Sequence, residues 1–215
     1  MPNVITLSHE SESIKYLSQK DKRLAKVFNM VGDITVPYED DPFIFLLDTI
    51  IGQMLSKKAA NFICQRVHDL CLGDITPQAV SNLSVESLRS VGVSNSKAKY
   101  VLNLSYAVSN NLLNFDELKT LDDNSVYKKL TSVQGIGSWS AKMYLIFVLN
   151  RQNILPFEDG AFLQGYCWLY KTTDKSPDSI RKRCRKWEPY SSIAARYLYK
   201  ALDTGLTKNE FHLMT

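Results

Sequence analysis

The sequence predicts an all-α fold, two helical lobes with a cleft between them, within a single domain covering residues 1–215. Three observations predict it. Helix-start signals recur along the whole chain, at Asp41-Pro42, Ser56, Thr76-Pro77, Ser84, Asn95, Asp123, Ser176-Pro177 and Tyr190. Apolar residues return at steps of three and four, as Ala60, Cys64, Val67 and Cys71 do. A strand-like stretch is confined to Asp33-Ile34-Thr35-Val36. Together these give about ten helices joined by short turns.

In order along the chain, EDDPFIFLLDTIIGQML opens on Asp41 as a cap with Pro42 in the first helical position, and Gly52-Gln53-Met54-Leu55 ends it. Ser56 then starts KKAANFICQRVHDLCL. LRSVGVSNSKAKYVLNL (88–104) faintly echoes LTSVQGIGSWSAKMYLIF (130–147), each passing through a glycine turn into a longer helix. Two hairpins with the same turn chemistry explain the echo; two turns facing one partner explain it as well. NRQNILPF (150–157) breaks the helical period and is the expected crossover between the lobes.

Bulk properties narrow the class. A 45% hydrophobic and 22% charged chain suits a globular protein, and excludes a fibre or a disordered segment. The net charge of +4, from 26 basic and 22 acidic residues, is compatible with a polyanionic partner without requiring one. Cys64, Cys71, Cys167 and Cys184 form no Cys-x-x-Cys pair, so neither zinc nor an iron–sulfur cluster is indicated and reduced thiols are expected. The stretch MPNVITLSHESESIKYL is too polar for a signal peptide, and the longest apolar run, Met143 to Leu149, is too short to cross a bilayer. A soluble, cytoplasmic monomer with no membrane contact is the expectation.

The stretch TSVQGIGSWSAKMY carries the first candidate chemistry. Val133-Gln134-Gly135-Ile136-Gly137 is a tight helix-to-helix turn with Ile136 packed inward. Amides of Gly135, Gly137 and Ser138 at the head of the next helix suit phosphate oxygens, through N–H donors and the helix dipole. A plain helical corner fits the pentapeptide as well. Twenty residues beyond Trp139, Asp159 stands in LPFEDG at a loop-to-helix junction, where capping is the ordinary role and catalysis the alternative. The basic run RKRCRK (181–186) precedes Trp187-Glu188-Pro189-Tyr190, which sets aromatics beside cations.

These pieces resemble the helix-hairpin-helix superfamily of DNA glycosylases, and within it the 3-methyladenine, alkylation-repair branch. The resemblance covers roughly residues 40–202: IIGQMLSKKAANFICQRV, VGVSNSKAKYVLNLS, VQGIGSWSAKMY, ILPFEDGAF and RKWEPYSSIAARYLY follow in the family's order. It places the hairpin at about 130–150 and the catalytic loop at about 154–160. It implies that Asp159 is the catalytic aspartate. Trp139 holds the position where lyase-competent branches carry lysine, and a Schiff base needs an amine. The resemblance therefore implies a monofunctional enzyme that uses water, with Lys142 set three residues off the lyase position. It implies a base pocket lined by Trp139 and Tyr190, with Met143 where some relatives have tyrosine and Tyr144 next to it. Met54 matches an intercalating wedge with Gln53 beside it. Gly135, Gly137, Ser138 and Lys142 are the implied phosphate contacts.

No cofactor is required by this resemblance. It does imply a monovalent cation, Na+ or K+, held by the backbone carbonyls of Thr131, Val133 and Ile136. The clustered cysteines of the iron–sulfur branch are missing, and the 40 residues before the matched region are too few for the extra α/β domain of some bacterial members, so a compact form is expected. The expected partner is double-stranded DNA containing damaged bases. The expected reaction is hydrolytic excision of alkylated purines such as 3-methyladenine in base excision repair. A glycosylase for deaminated or mismatched bases and a non-catalytic damage-binding protein remain open beside it.

Overall fold

A computed structural model describes residues 4–37 and 39–213; the first three residues of the polar N-terminal stretch lie outside the described residues. The chain divides into two compact units, Met1–Tyr38 with Asn150–Thr215, and Glu39–Leu149. The second boundary falls at Asn150, the first residue of the expected crossover.

The first unit opens with strand β1 (Val4–Leu7), helices α1 (Glu12–Lys20) and α2 (Lys22–Val31), and strand β2 (Ile34–Pro37). β1 and β2 pair antiparallel, Ile5 opposite Val36 and Leu7 opposite Ile34. The fold is all-α as expected, with this one small two-stranded sheet beside the helices. β2 coincides with the single strand-like stretch of the sequence, whereas VITL is too short to show alternation.

The second unit runs from α3 (Pro42–Gly52) through α4 (Lys57–Leu70), α5 (Pro77–Ser81), α6 (Val85–Ser90), α7 (Asn95–Ser109), α8 (Phe115–Thr120) and α9 (Asp123–Thr131) to α10 (Ser138–Phe147). Side-chain caps start nearly all of them. Asp41 accepts from the amides of Phe43 and Ile44, Ser56 from Ala59, Thr76 from Ala79 and Ser84 from Ser87. At two helices the cap is one residue earlier than expected, Ser94 and Asp122, because either neighbour supplies a suitable oxygen. Leu46, Leu47 and Ile50 of α3, Val101 and Leu104 of α7, and Leu130 and Ile146 of the hairpin helices are fully buried.

The chain then returns to the first unit with α11 (Gly160–Tyr170), α12 (Pro177–Cys184) and α13 (Ser191–Asp203). Among the described residues there are thirteen α-helices rather than about ten; the caps Asp21 of α2 and Asn114 of α8 stood in the sequence unread, and α1 has no side-chain cap. α11 packs closely on α13: a Cβ at Gly165 would lie 2.9 Å from Leu198 Cβ, so glycine sets the approach of the two helices. Asp21, 3% exposed, caps α2 and also receives Trp187 Nε1 (3.0 Å), Lys186 Nζ (3.0 Å) and the Tyr170 hydroxyl. Burial pushes this carboxyl up, but the hydrogen bonds from Tyr170, Trp187 and Lys186 outweigh it and hold it below the ordinary value. The four cysteines are free thiols, as expected. No helix among the described residues is long and apolar enough to cross a membrane.

Candidate nucleic-acid interface and active-site residues

In the unit of residues 39–149, the hairpin α9–turn–α10 is held from two directions. Gly135 has φ +107°, and a Cβ there would fall 2.4 Å from Tyr100 Cβ, so the turn lies flat on α7. Asn103 of α7 donates to the Gln134 side chain (2.9 Å). From the α3 side, Gln53 Nε2 donates to the Gly135 carbonyl (3.0 Å) and to Ser140 Oγ (3.3 Å). Gln53, expected in the wedge, is thus a tie between the end of α3 and the hairpin. Ile136 is buried beneath the turn, as its inward packing required.

Gly137 caps α10 with extended backbone and no side-chain cap, and nothing stands within 4 Å of where a Cβ would be. The first amides of α10 lie at the positive end of the helix dipole. Ser138 and Lys142 are half-buried on that helix. Thr131 closes α9, which puts its carbonyl at the negative end of that dipole, while the Val133 carbonyl accepts from the Ile136 amide (3.0 Å). A set of backbone oxygens at a helix C-terminus suits a hard monovalent cation; among the described residues no cluster of His, Cys, Asp or Glu offers a metal site instead.

Met54 follows Gln53 at φ +59° and is fully exposed, at 101%. A non-glycine residue in this region costs about 1–2 kcal/mol, and an apolar side chain held wholly in water gains nothing from the fold. Beneath it, Lys97 of α7 donates to the carbonyls of Ile51 (2.8 Å) and Gln53 (2.5 Å), closing the C-terminal end of α3. Lys97 was invisible as a functional residue in the sequence, because its partners lie more than 40 positions away.

Trp139 is half-buried and lines a cavity of about 300 Å³ with Phe45, Asp48 and Thr49 of α3. The other two hairpin-helix residues expected at the pocket sit differently. Met143 is 6% exposed, and Tyr144, at 1%, packs in the core against Phe45 and Phe115 with ring centroids 6.3 and 6.2 Å away. Burial, and after it the charge of Asp116, push the Tyr144 phenol up. Tyr144, five residues beyond Trp139, is turned to another face by the 3.6-residue period, whereas Met143, four residues on, shares the face of Trp139 one turn further along and is buried there.

In the other unit, Asp159 caps α11. Its Oδ1 accepts from the Phe162 amide at 2.7 Å, and its own amide donates to the Pro156 carbonyl (2.9 Å). Capping and a chemical role are not alternatives here, since a carboxylate has a second oxygen. The side chain faces Tyr199 of α13: burial first, then the Asp159 charge and hydrogen bond, push the Tyr199 phenol far above its ordinary value. The residue is 9% exposed, whereas Glu158 is exposed. The loop before it is fastened to the head of α13. The Ser192 amide donates to the Gln152 carbonyl (2.9 Å), the Ile154 amide to Ser192 Oγ (2.9 Å), and Ser191 Oγ to Asn153 Oδ1 (2.8 Å). Ser191, Ser192 and Tyr199 went unnoticed in the sequence; two adjacent serines at the head of an otherwise apolar helix were the available signal.

Tyr190, expected in the base pocket, begins α13 and packs edge-on against Tyr16 at 5.4 Å. The basic run is largely engaged within its own unit. Arg181 lies over Phe157 (4.2 Å), Arg183 over Tyr170 (5.0 Å), and Lys186 pairs with Asp21.

A helical hairpin with a closely packed first glycine, a second glycine with open space at its Cβ position and a capping aspartate one loop later are the features on which the helix-hairpin-helix resemblance rests. A family model described as HhH-GPD superfamily base excision DNA repair protein matches residues 47–189, and the chain belongs to that superfamily. The chain is 27% identical over 202 residues to DNA-3-methyladenine glycosylase 1 of Schizosaccharomyces pombe, covering 92% of this chain and 88% of that protein. A DNA-3-methyladenine glycosidase structure from Bacillus halodurans is similar over 97% of each chain, with 31% identity and a TM-score of 0.84. The S. pombe 3-methyladenine DNA glycosylase in complex with abasic DNA matches with a TM-score of 0.81 and 26% identity, over 90% of this chain and 97% of that one.

Proposed function

We propose that the protein is a monofunctional DNA glycosylase that turns alkylated purines such as 3-methyladenine out of the duplex and hydrolyses their N-glycosidic bond. The observation that carries this reading is Asp159. One oxygen is fixed by the Phe162 amide and its loop is fastened by Ser191 and Ser192, so the carboxylate is held in place before substrate arrives. The names of the relatives support the substrate class.

A base in the stack is out of reach, and flipping it costs a few kcal/mol, offset when a side chain fills the gap. Met54 is the side chain offered for that. The amides of Gly137 and Ser138, at the head of α10, take a phosphate, with Lys142 near them, and position the backbone without reading sequence. The carbonyls of Thr131, Val133 and Ile136 would hold the monovalent cation, which adds positive charge beside that phosphate. An alkylated purine carries a positive ring charge, which the face of Trp139 attracts. As the bond breaks, the sugar acquires oxocarbenium character, and the Asp159 carboxylate stabilises it and orients water for attack. With Trp139 in place of an amine, no covalent sugar–enzyme adduct forms.

The test is incubation with methylated duplex DNA. Free methylated purine appears while the strand stays uncleaved, and borohydride traps no protein–DNA adduct. A trapped adduct would overturn the hydrolytic mechanism, and damage-independent binding without base release on a lesion panel would overturn the enzyme reading.

A further inference from the structure

The cavity beside Trp139 carries a feature that stacking alone does not use. Besides Trp139 it is lined by Glu39 and by Ile44, Phe45, Asp48, Thr49 and Gly52 of α3, so it holds a carboxylate, Asp48, together with two aromatic residues. Asp48 is no surface rotor. Its Oδ1 lies 3.0 Å from His68 Nε2 of α4, and the carboxylate is only 37% exposed. Its side-chain partner is His68, while the Lys97 ammonium is hydrogen-bonded to the carbonyls of Ile51 and Gln53, and the Cys64 thiol, pushed up to about 12 by burial and then by Asp48, remains neutral. A half-sheltered anion on a wall that also carries aromatic faces favours a flat cation over a flat neutral molecule of the same shape.

We propose that Asp48, oriented by His68, is a specificity-determining residue that makes this cavity prefer positively charged alkylpurines over neutral purines of the same shape. The inference rests on the glycosylase reading above for the identity of the ligand, but it concerns charge selection alone. Discrimination of this kind has a clear origin: an isosteric base lacking the charge covers Asp48 without supplying the attraction that a cation would.

Binding to a matched pair of duplexes tests it. One carries 7-methylguanine on a 2′-fluoro sugar, which keeps the cation and resists hydrolysis; the other carries the neutral 7-methyl-7-deazaguanine. The wild-type protein binds the cationic duplex more tightly, and Asp48→Asn reduces that preference roughly ten-fold, about 1.4 kcal/mol. Asp48→Glu keeps the charge and retains most of the preference, and thermal melting of both variants controls for folding. An unchanged ratio in Asp48→Asn, or a wild-type protein that holds the two duplexes equally, would overturn the proposal. Because these duplexes are not cleaved, the outcome is independent of base release, whose failure would instead count against the glycosylase reading.

Discussion

In residues 39–149 the candidate wedge and the second hairpin glycine are exposed, whereas in the other unit the candidate reacting group is buried and fastened from several sides. Met54 stands entirely in water on left-handed backbone, and Gly137 has open space around it. Asp159 is 9% exposed, capping α11 and facing Tyr199, in a loop stitched to Ser191 and Ser192. The contrast follows from what each task needs. A wedge and a phosphate clamp, as proposed, gain contacts when DNA arrives, which accords with Met54 and Gly137 standing exposed in the free protein. A carboxylate that must meet a developing charge is best fixed beforehand, because reorganisation during the reaction would add to the barrier.

The same contrast separates the two hairpin glycines, and mutating them sharpens it. Gly135→Ala puts a Cβ into Tyr100 at positive φ, so a loss of roughly 2–5 kcal/mol is expected in thermal or urea unfolding. Gly137→Ala meets nothing and should leave stability within about 1 kcal/mol. Equal losses at the two positions would remove the distinction between a packed glycine and a presented one.

Next in size is Asp21, the most heavily hydrogen-bonded buried carboxylate of the first unit. Asp21→Ala strands the Tyr170 hydroxyl and the Trp187 indole, and about 2–4 kcal/mol of stability should go with them. The folded-state value of Asp21 lies below the ordinary 3.8. Its contribution is therefore fully present above that ordinary value and is lost as pH falls through the lowered one. Acid unfolding of the wild-type protein should be correspondingly steeper below about pH 4 than that of Asp21→Asn; identical acid limbs would show that the network does not act through the charge.

Smaller still, Met54→Gly relieves the positive φ and should stabilise the free protein by about 1 kcal/mol. It should also weaken binding to abasic duplex roughly ten-fold by removing the plug. Stability and affinity would thus move in opposite directions, and a variant that gained or lost both together would contradict the wedge. The least effect is expected at Lys142. Its change to Ala should lower affinity only a few-fold and reduce the slope of log affinity against log salt by about 1.

How much of this the sequence disclosed depends on the range of the interactions. A helix cap is a contact over three residues, so Asp41, Ser56, Thr76 and Ser84 were legible, and Ser94 and Asp122 were missed by one position. Asp159 was legible for the same reason, since a cap beside a proline-containing loop is a local pattern. Long-range groups left no trace. Asp21 meets partners at 170, 186 and 187, Lys97 reaches back to Ile51 and Gln53, and Tyr199 meets Asp159 across two helices. Gln53 and Tyr144 were read from their neighbours in sequence as wedge and pocket. Their packing is decided elsewhere, by Gly135 and Ser140 for one and by Phe45 and Phe115 for the other.

The central claim is a division of labour, with recognition in one unit and chemistry in the other. It is tested most directly by measuring, in Asp159→Asn, both the dissociation constant for abasic duplex and the single-turnover rate of release of 3-methyladenine. The account predicts a rate reduced by about a thousand-fold or more with affinity nearly unchanged. A variant that released base at the wild-type rate, or lost affinity in step with rate, would contradict it.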